Sequence, residues 1–430
     1  SITREEWREG RGASAAGLFA EIGLALLDSR RGVPERMRAR EAFDALQEFQ
    51  ARTLEERMRG AGASARVMRH RVTLDSLQRF VLHPDELLID LVATPDTTFA
   101  FAVTRGELRV RPLPGLRLLA PRVLRLAPAM ETSHEGAGPD AALRWMSDQI
   151  LAPFADLMTS HPRLVITGGG PLALLPWAAL PGPDGQPLLA GHEIVVAPSA
   201  TLWAAYRPAL PGRGSRLLVL GRTTNANGVS LEGVEKECVA VQGYANVTAR
   251  VHPGNRPLAR LVADLERFDA IHLAAHMFSD NVSPWRSGVL MGSGRSEDAY
   301  LRASDIASRK LSARLAVLSG CQSAAARSLP GEGPQGLASA FLCAGTPTVV
   351  ATLWDVRDDA ATDFIARFYA ALASGSKVGG AVREAQAAMR LAGRGPGDWA
   401  AFVIWGSGDT RLALTPASST RLLALPGLHR

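Results

Sequence analysis

From residue 213 onward, short apolar runs alternate with amphipathic stretches, and this alternation constrains the fold more than any other feature of the chain. The runs 216–221, 270–276, 313–319, 348–353 and 400–404 are nearly continuous in apolar residues. The stretches 231–241, 256–268, 336–344, 359–373 and 377–392 carry helical spacing instead. A strand without polar alternation has both faces buried, and strands that alternate with helices form a mostly parallel sheet covered on both sides. The expected class is therefore α/β, three-layered, with helices on both faces of the sheet.

The earlier part of the chain reads differently. Residues 14–28 and 34–60 have helical periodicity, with Gly60-Ala61-Gly62 as the stop. Residues 86–93, 98–104 and 107–111 read as three strands. The turns at Pro95-Asp96 and Arg105-Gly106 are short enough to make them an antiparallel meander. A polar loop at 130–140 leads to a helix at 141–158 with Pro153 as a kink point, then to a strand at 163–167 and Gly168-Gly169-Gly170.

Composition narrows the function classes. Apolar residues make up 47% and charged residues 21% of the chain, which suits a folded protein and excludes a disordered or collagen-like one. Three cysteines, Cys238, Cys321 and Cys343, exclude a disulfide scaffold and make a reducing, cytoplasmic compartment the default expectation. The net charge of +6 does not argue for nucleic acid: residues 1–80 hold 15 arginines and 12 carboxylates with interleaved signs and no basic run. No secretory leader is read at the start, where Arg4, Glu5, Glu6, Arg8 and Glu9 precede any apolar run. The longest uncharged stretch, 333–354, is interrupted by Ala344-Gly345-Thr346-Pro347-Thr348 and reads as helix, turn and strand rather than a membrane span.

In sheets of this kind, sites lie beyond the carboxyl ends of the strands. His276 ends one apolar run, and Cys321 follows another through Gly320. On neighbouring strands the two side chains would emerge on one rim. An imidazole beside a thiol can take its proton, and later protonate a leaving amine. Gly320 allows a sharp turn that presents backbone N–H groups to an oxyanion. The competing reading is a buried apolar cysteine and a hydrogen-bonded core histidine. That reading suits Cys238, Cys343 and the mid-strand His272 better. Gly168–Gly170 is not a phosphate loop, because Pro171 follows and no Gly-Lys-Ser/Thr does. With neither Cys-x-x-Cys nor His-Glu-x-x-His, no metal or other cofactor is expected.

Six segments, in order, resemble the CHAT family of caspase-like cysteine peptidases. They are GGPLALLPWAAL at 169–180, DAIHLAAH at 269–276, ARLAVLSGCQSA at 313–324, GEGPQGLASAFLCAG at 331–345, VVATLWDV at 349–356 and WAAFVI at 399–404. The resemblance implies a caspase/separase-type fold in which a pseudo-protease half supports a catalytic half. Residues 1–75 would then be a helical segment at the end of a helical repeat region. Residues 76–212 would be the supporting half, 213–412 the catalytic half and 413–430 a tail. It also implies His276 as general acid/base, Cys321 as nucleophile, and the backbone of Met277, Gly320 and Cys321 around the oxyanion. The implied partners are a protein substrate, a pore-forming protein among the family's targets in bacterial defence, and an activating partner or helical-repeat sensor.

Two positions depart from the family pattern. Met277 stands where glycine is usual, and a methionine would be strained there if the position required positive φ. Gln322 stands where an acidic residue is common. Ser319, two residues before the cysteine, is small and neutral at a position that lines the substrate pocket in several relatives. Trp354 reads as pocket wall or core, and Asp355 as a pocket carboxylate or a loop residue. Asp358 and Asp359 read as the start of a helix. Glu332, between two glycines, reads as an activation-loop element or a solvated turn. Met277 also leaves open an inactive or locked caspase-like scaffold as the alternative to an active endopeptidase.

Overall fold

The computed structural model describes residues 21, 25, 27, 34–60, 71–134, 138–207, 215–244, 246–293, 297–320, 323–324, 327–329 and 333–415. Cys321, Gln322 and Glu332 lie outside the described residues, as do most of the helix expected at 14–28, the stop at Ala61-Gly62 and most of the tail.

The strands, in chain order, are β1 Glu86–Ala93, β2 Thr97–Val103, β3 Leu108–Pro114, β4 Arg163–Gly168, β5 Glu193–Ala197, β6 Leu217–Arg222, β7 Val247–His252 and β8 Ala270–Ala274. They continue with β9 Met277–Phe278, β10 Gly288–Leu290, β11 Tyr300–Arg302, β12 Leu315–Ser319, β13 Arg327–Leu329, β14 Gly333–Gln335, β15 Thr348–Thr352 and β16 Phe402–Gly406. Eleven of them form one sheet in the order β3-β2-β1-β4-β5-β16-β15-β12-β8-β6-β7. The meander β1–β3 and the β15–β16 pair are antiparallel, and the other neighbours are parallel. The near-continuous apolar runs are thus explained: β6, β8, β12, β15 and β16 are buried along their whole length. β16, although late in sequence, sits between β15 and β5 and joins the strands β1–β5 to the rest of the sheet.

Several segments differ from the periodicity. The helix expected over 34–60 is two helices, Glu35–Gln47 and Arg52–Gly60. Ala51 breaks it with φ +55°, while Gln47 and Gln50 both donate to the buried carboxylate of Asp90. The stretch 256–268 is the short helix Leu258–Val262 followed by a 3-10 turn, Leu265–Arg267. At 141–158 Pro153 divides helix Asp140–Ile150 from helix Ala155–Ser160 through a 3-10 turn. Helix Leu116–Glu131 had no expectation: Pro121 and Pro128 lie inside it and mask its period. β5 and β7, both short, were likewise not expected.

Helix Arg52–Gly60 packs into the same core as the sheet. Leu54 and Met58 are fully buried in the common core, and the helix packs on helix Leu337–Cys343. Cys343 Sγ lies 3.8 Å from Leu54 O, and Tyr206 donates its hydroxyl to Leu342 O at 2.8 Å. Arg57 stacks over the Trp285 ring at 4.0 Å, in the loop between β9 and β10. No helix among the described residues is long and apolar enough to cross a membrane.

Candidate functional site

The two strands that lead to His276 and Cys321 are neighbours. β8 and β12 are parallel, with Val317 opposite His272 and Ser319 opposite Ala274. Both run out on one rim. His276 lies two residues past β8 and is exposed, whereas Ala275 and Met277 on either side of it are buried.

Gly320 packs between those two neighbours. A Cβ on Gly320 would stand 2.6 Å from Ala275 O, 2.6 Å from Met277 Cγ and 2.8 Å from Met277 Sδ. The glycine is therefore required by close approach, not by positive φ. Its carbonyl accepts from Thr352 Oγ1 at 2.8 Å. On the far side of positions 321 and 322, Ser323 Oγ accepts from Thr352 N at 2.9 Å, and Ala324 N donates to Thr352 O at 2.9 Å. Gly320 on one side of these positions, and Ser323 and Ala324 on the other, are thus fixed to Thr352, at the carboxyl end of β15. Sequence reasoning missed Thr352 because a threonine inside an apolar strand carries no signal of its own.

Met277 carries no backbone strain, since Ala51 is the only non-glycine residue with positive φ among the described residues. It lies in β9, which among the described residues pairs only with β10. Leu290 N donates to His276 O at 2.9 Å, so 276 and 290 form a hydrogen-bonded pair. Antiparallel alternation then turns the Met277 N–H away from β10, toward the unpaired edge.

Beneath Ser319 lies a buried polar chain. Ser319 Oγ donates to Glu237 Oε2 at 2.8 Å, and Glu237 Oε1 lies 2.7 Å from His272 Nε2. His272 Nδ1 is 2.9 Å from the Tyr369 hydroxyl. The Glu237–His272 contact is not aligned as a hydrogen bond, and both atoms are buried without a hydrogen-bond partner. Burial, reinforced by the Glu237 charge, holds the Tyr369 phenol well above its usual pKa, so it keeps its proton beside His272 Nδ1. Ser319 is thus backed directly by the Glu237 side chain. The sequence held a signal for it: Glu237 shares a helix face with Val234, Cys238 and Val241, a charge on an apolar stripe.

The other candidates separate. Trp354 is enclosed in the core, and its indole N–H donates to Gly397 O at 2.8 Å. Asp355 is half-buried, its Oδ1 without a hydrogen-bond partner, and after burial its charge is the next cause of a raised Glu131 carboxyl pKa. Asp358 and Asp359 occupy the first turn of helix Asp358–Ala373, and Asp358 also caps Gly233 N at 3.1 Å. Cys238 and Cys343 are buried. Burial, with Glu237 and Glu235 adding, pushes the Cys238 thiol far up, and burial pushes Cys343 up to about 12. The hairpin β13–β14, downstream of position 321, packs on the 3-10 turn Gly170–Leu174. Gly168, Gly169 and Gly170 have φ of +69°, +76° and +53°, which lets the chain fold into that turn. No group of three potential metal ligands occurs among the described residues.

The CHAT domain model matches residues 140–407, well over half of the chain. The chain belongs to the CHAT domain family. Over 117 residues it is 36% identical to mouse tetratricopeptide repeat protein 28, a match covering 27% of this chain and 5% of that protein. The human protein of that name is 33% identical over 118 residues. Among solved structures, the fold is similar to the Saccharomyces cerevisiae separase–securin complex, with a TM-score of 0.60 and 12% identity over 92% of this chain. That alignment covers 36% of the separase chain. The CHAT fold here is therefore caspase-like, a mostly parallel sheet with helices, as the motif order implies.

Proposed function

We propose that this chain is a cysteine endopeptidase whose dyad is His276 and Cys321. The observation that supports it best is the packing of Gly320 against both neighbours of His276. Cys321 follows Gly320 directly in the sequence. The Cys321 thiolate attacks the peptide carbonyl carbon, and the carbonyl electrons move to oxygen. The backbone N–H groups of Met277 and of the Gly320–Cys321 turn receive that oxyanion. Protonated His276 gives its proton to the amine as the C–N bond breaks, leaving an acyl-enzyme. Water then attacks the acyl carbon, His276 takes its proton, and the thiolate leaves.

In this reading residues 76–212 support the catalytic part at 213–412, and Ser319 and Asp355 border the substrate pocket. The substrate is a protein, and an activating partner acts through the N-terminal helices, which touch the His276 loop at Arg57 and Trp285. Cleavage of a diverse peptide library should be abolished in Cys321→Ala and retained in Cys343→Ala; proteolysis that survives in Cys321→Ala removes the assignment. The second reading, a locked caspase-like module, draws on the Met277 side chain lying over Gly320. It gains if Cys321 resists electrophilic peptides under every activating condition.

A further inference from the structure

The eleven-stranded sheet has two edges, and they are built differently. β3 forms one edge and is guarded: Arg111 and Pro112 are exposed, and neither Pro112 nor Pro114 has an N–H to offer another strand. β7 forms the other edge, contains no proline, and turns its one arginine, Arg250, to Asp264. It pairs with β6 in parallel register, from Leu217 opposite Val247 to Arg222 opposite His252. Leu217 N donates to Asn246 O and Thr223 N donates to His252 O, so the even-numbered residues bond to β6. Val247, Ala249 and Val251 therefore turn their N–H and C=O groups outward, where no described strand meets them. Their side chains pack on the core yet stay half-buried. On helix Glu232–Gln242, Glu237 faces His272 of β8 and Cys238 faces Gly221 of β6. Val239, a further step of about 100° round the helix, points out past β7. It is 57% exposed. An apolar edge with nothing to blunt it is a template for another strand.

The chain itself runs to this edge. After β16 it crosses the amino-terminal rim of the sheet, held at successive strands. Thr410 Oγ1 donates to Arg314 O, ahead of β12, at 3.1 Å, and Ala413 N donates to Ser215 Oγ, ahead of β6, at 2.8 Å. Asn246, the residue before β7, donates from Nδ2 to Ala413 O at 3.0 Å and accepts at Oδ1 from Thr415 N at 3.4 Å. Leu412 and Leu414 are buried along this course. Thr415, the last described residue, thus lies beside the start of β7. Beyond it come residues 416–420, and then Arg421-Leu422-Leu423-Ala424-Leu425, closed by Pro426. A link of about five residues is among the commonest between adjacent elements.

We propose that the outer edge of β7 is the docking site of the chain's own segment 421–425, which adds to the sheet as a strand parallel to β7. The segment arrives at the amino-terminal rim, where β7 itself begins, so it needs no crossover to run parallel. Its backbone meets the outward N–H and C=O groups of Val247, Ala249 and Val251, and its leucines on the helix side cover Val251 and Val239. Tethering favours this occupant over a second copy of the chain, because a short flexible link gives an effective concentration on the order of millimolar. The docking does not depend on the peptidase reading, since β8 and β6 stand between β12 and β7.

The test is hydrogen exchange of the full chain, resolved to single amides by electron-transfer fragmentation. The amides of Thr248 and Arg250, which face β6, are the controls. In the wild type the amides of Val247, Ala249 and Val251 should be protected as well, exchanging at least about tenfold more slowly than in a free peptide. Leu423→Pro combined with Ala424→Pro removes two consecutive N–H groups, one of which must face β7. That variant should exchange at least about tenfold faster at Val247, Ala249 and Val251, with the controls unchanged. A synthetic peptide of residues 419–428, added in excess, should restore the protection. Should the controls also speed up in the variant, protection regained with the peptide supports the docking and protection not regained overturns it. Outward amides that exchange like a free peptide in the wild type overturn it. Protection retained in the variant overturns it too, and retained protection that rises with protein concentration assigns the edge to a second copy instead.

Discussion

Ser319 donates a 2.8 Å hydrogen bond to Glu237, and that bond ties the strand leading to Cys321 to a carboxylate enclosed beneath the sheet. Replacing Glu237 by alanine strands the Ser319 hydroxyl and empties the space 2.7 Å from His272 Nε2. An unsatisfied buried group costs about 1–3 kcal/mol and the cavity left by the side chain adds to it, so Glu237→Ala should lose roughly 3 kcal/mol. Ser319→Ala, which removes one donor and leaves the His272 contact, should lose about 1 kcal/mol. Urea unfolding of the two variants checks the order, and equal losses would contradict it.

Gly320 has no room for a methyl group. In Gly320→Ala the new carbon would meet the Ala275 carbonyl at 2.6 Å and the Met277 side chain at 2.6 to 2.8 Å. Overpacking of this kind costs about 1–3 kcal/mol. Adding Met277→Ala should recover only part of the loss, because the Ala275 oxygen remains. Full recovery in the double variant, measured by the same unfolding, would show that the backbone contact is not limiting.

His252 sets an acid limit on stability. Burial, then the charges of Arg222 and Arg256, holds its pKa down at about 4, against an ordinary value near 6.5. Tyr300 also stands near Arg222, and the Asp264 carboxylate is paired with Arg250 on the same strand. The folded-state pKa is depressed, so the contribution is fully present above about pH 6.5 and is lost as pH falls to about 4. Its size is up to roughly 3 kcal/mol. His252→Gln should flatten that part of the stability–pH curve, and an unchanged slope would contradict the assignment.

The part of the fold that was legible in the sequence is the part with the least polar sheet. β6, β8, β12 and β15 are apolar throughout because both faces are covered, and their limits fell within two residues of the expected ones. The helix Leu116–Glu131 was hidden because proline normally ends a helix, whereas here Pro121 and Pro128 are accommodated within it. The break at Ala51 was hidden because no glycine marks it; what bends the chain there is Asp90, some 40 residues away, drawing in Gln47 and Gln50. The placement of His276 at a strand end was readable from spacing alone. The Glu237 chain and the Arg222–His252 pair were not, because each depends on residues brought together by strand order rather than by sequence.

The most direct measurement of the dyad is the rate at which Cys321 is alkylated by iodoacetamide as a function of pH, with Cys238 and Cys343 as internal controls in the same digest. The two buried thiols should stay unlabelled in the folded chain, since burial holds both of them protonated. Cys321 should react with an apparent pKa below the roughly 8.5 of a free thiol, and His276→Ala should move its profile upward by about one pH unit or more. A Cys321 profile that is unchanged in His276→Ala would contradict the account at its centre.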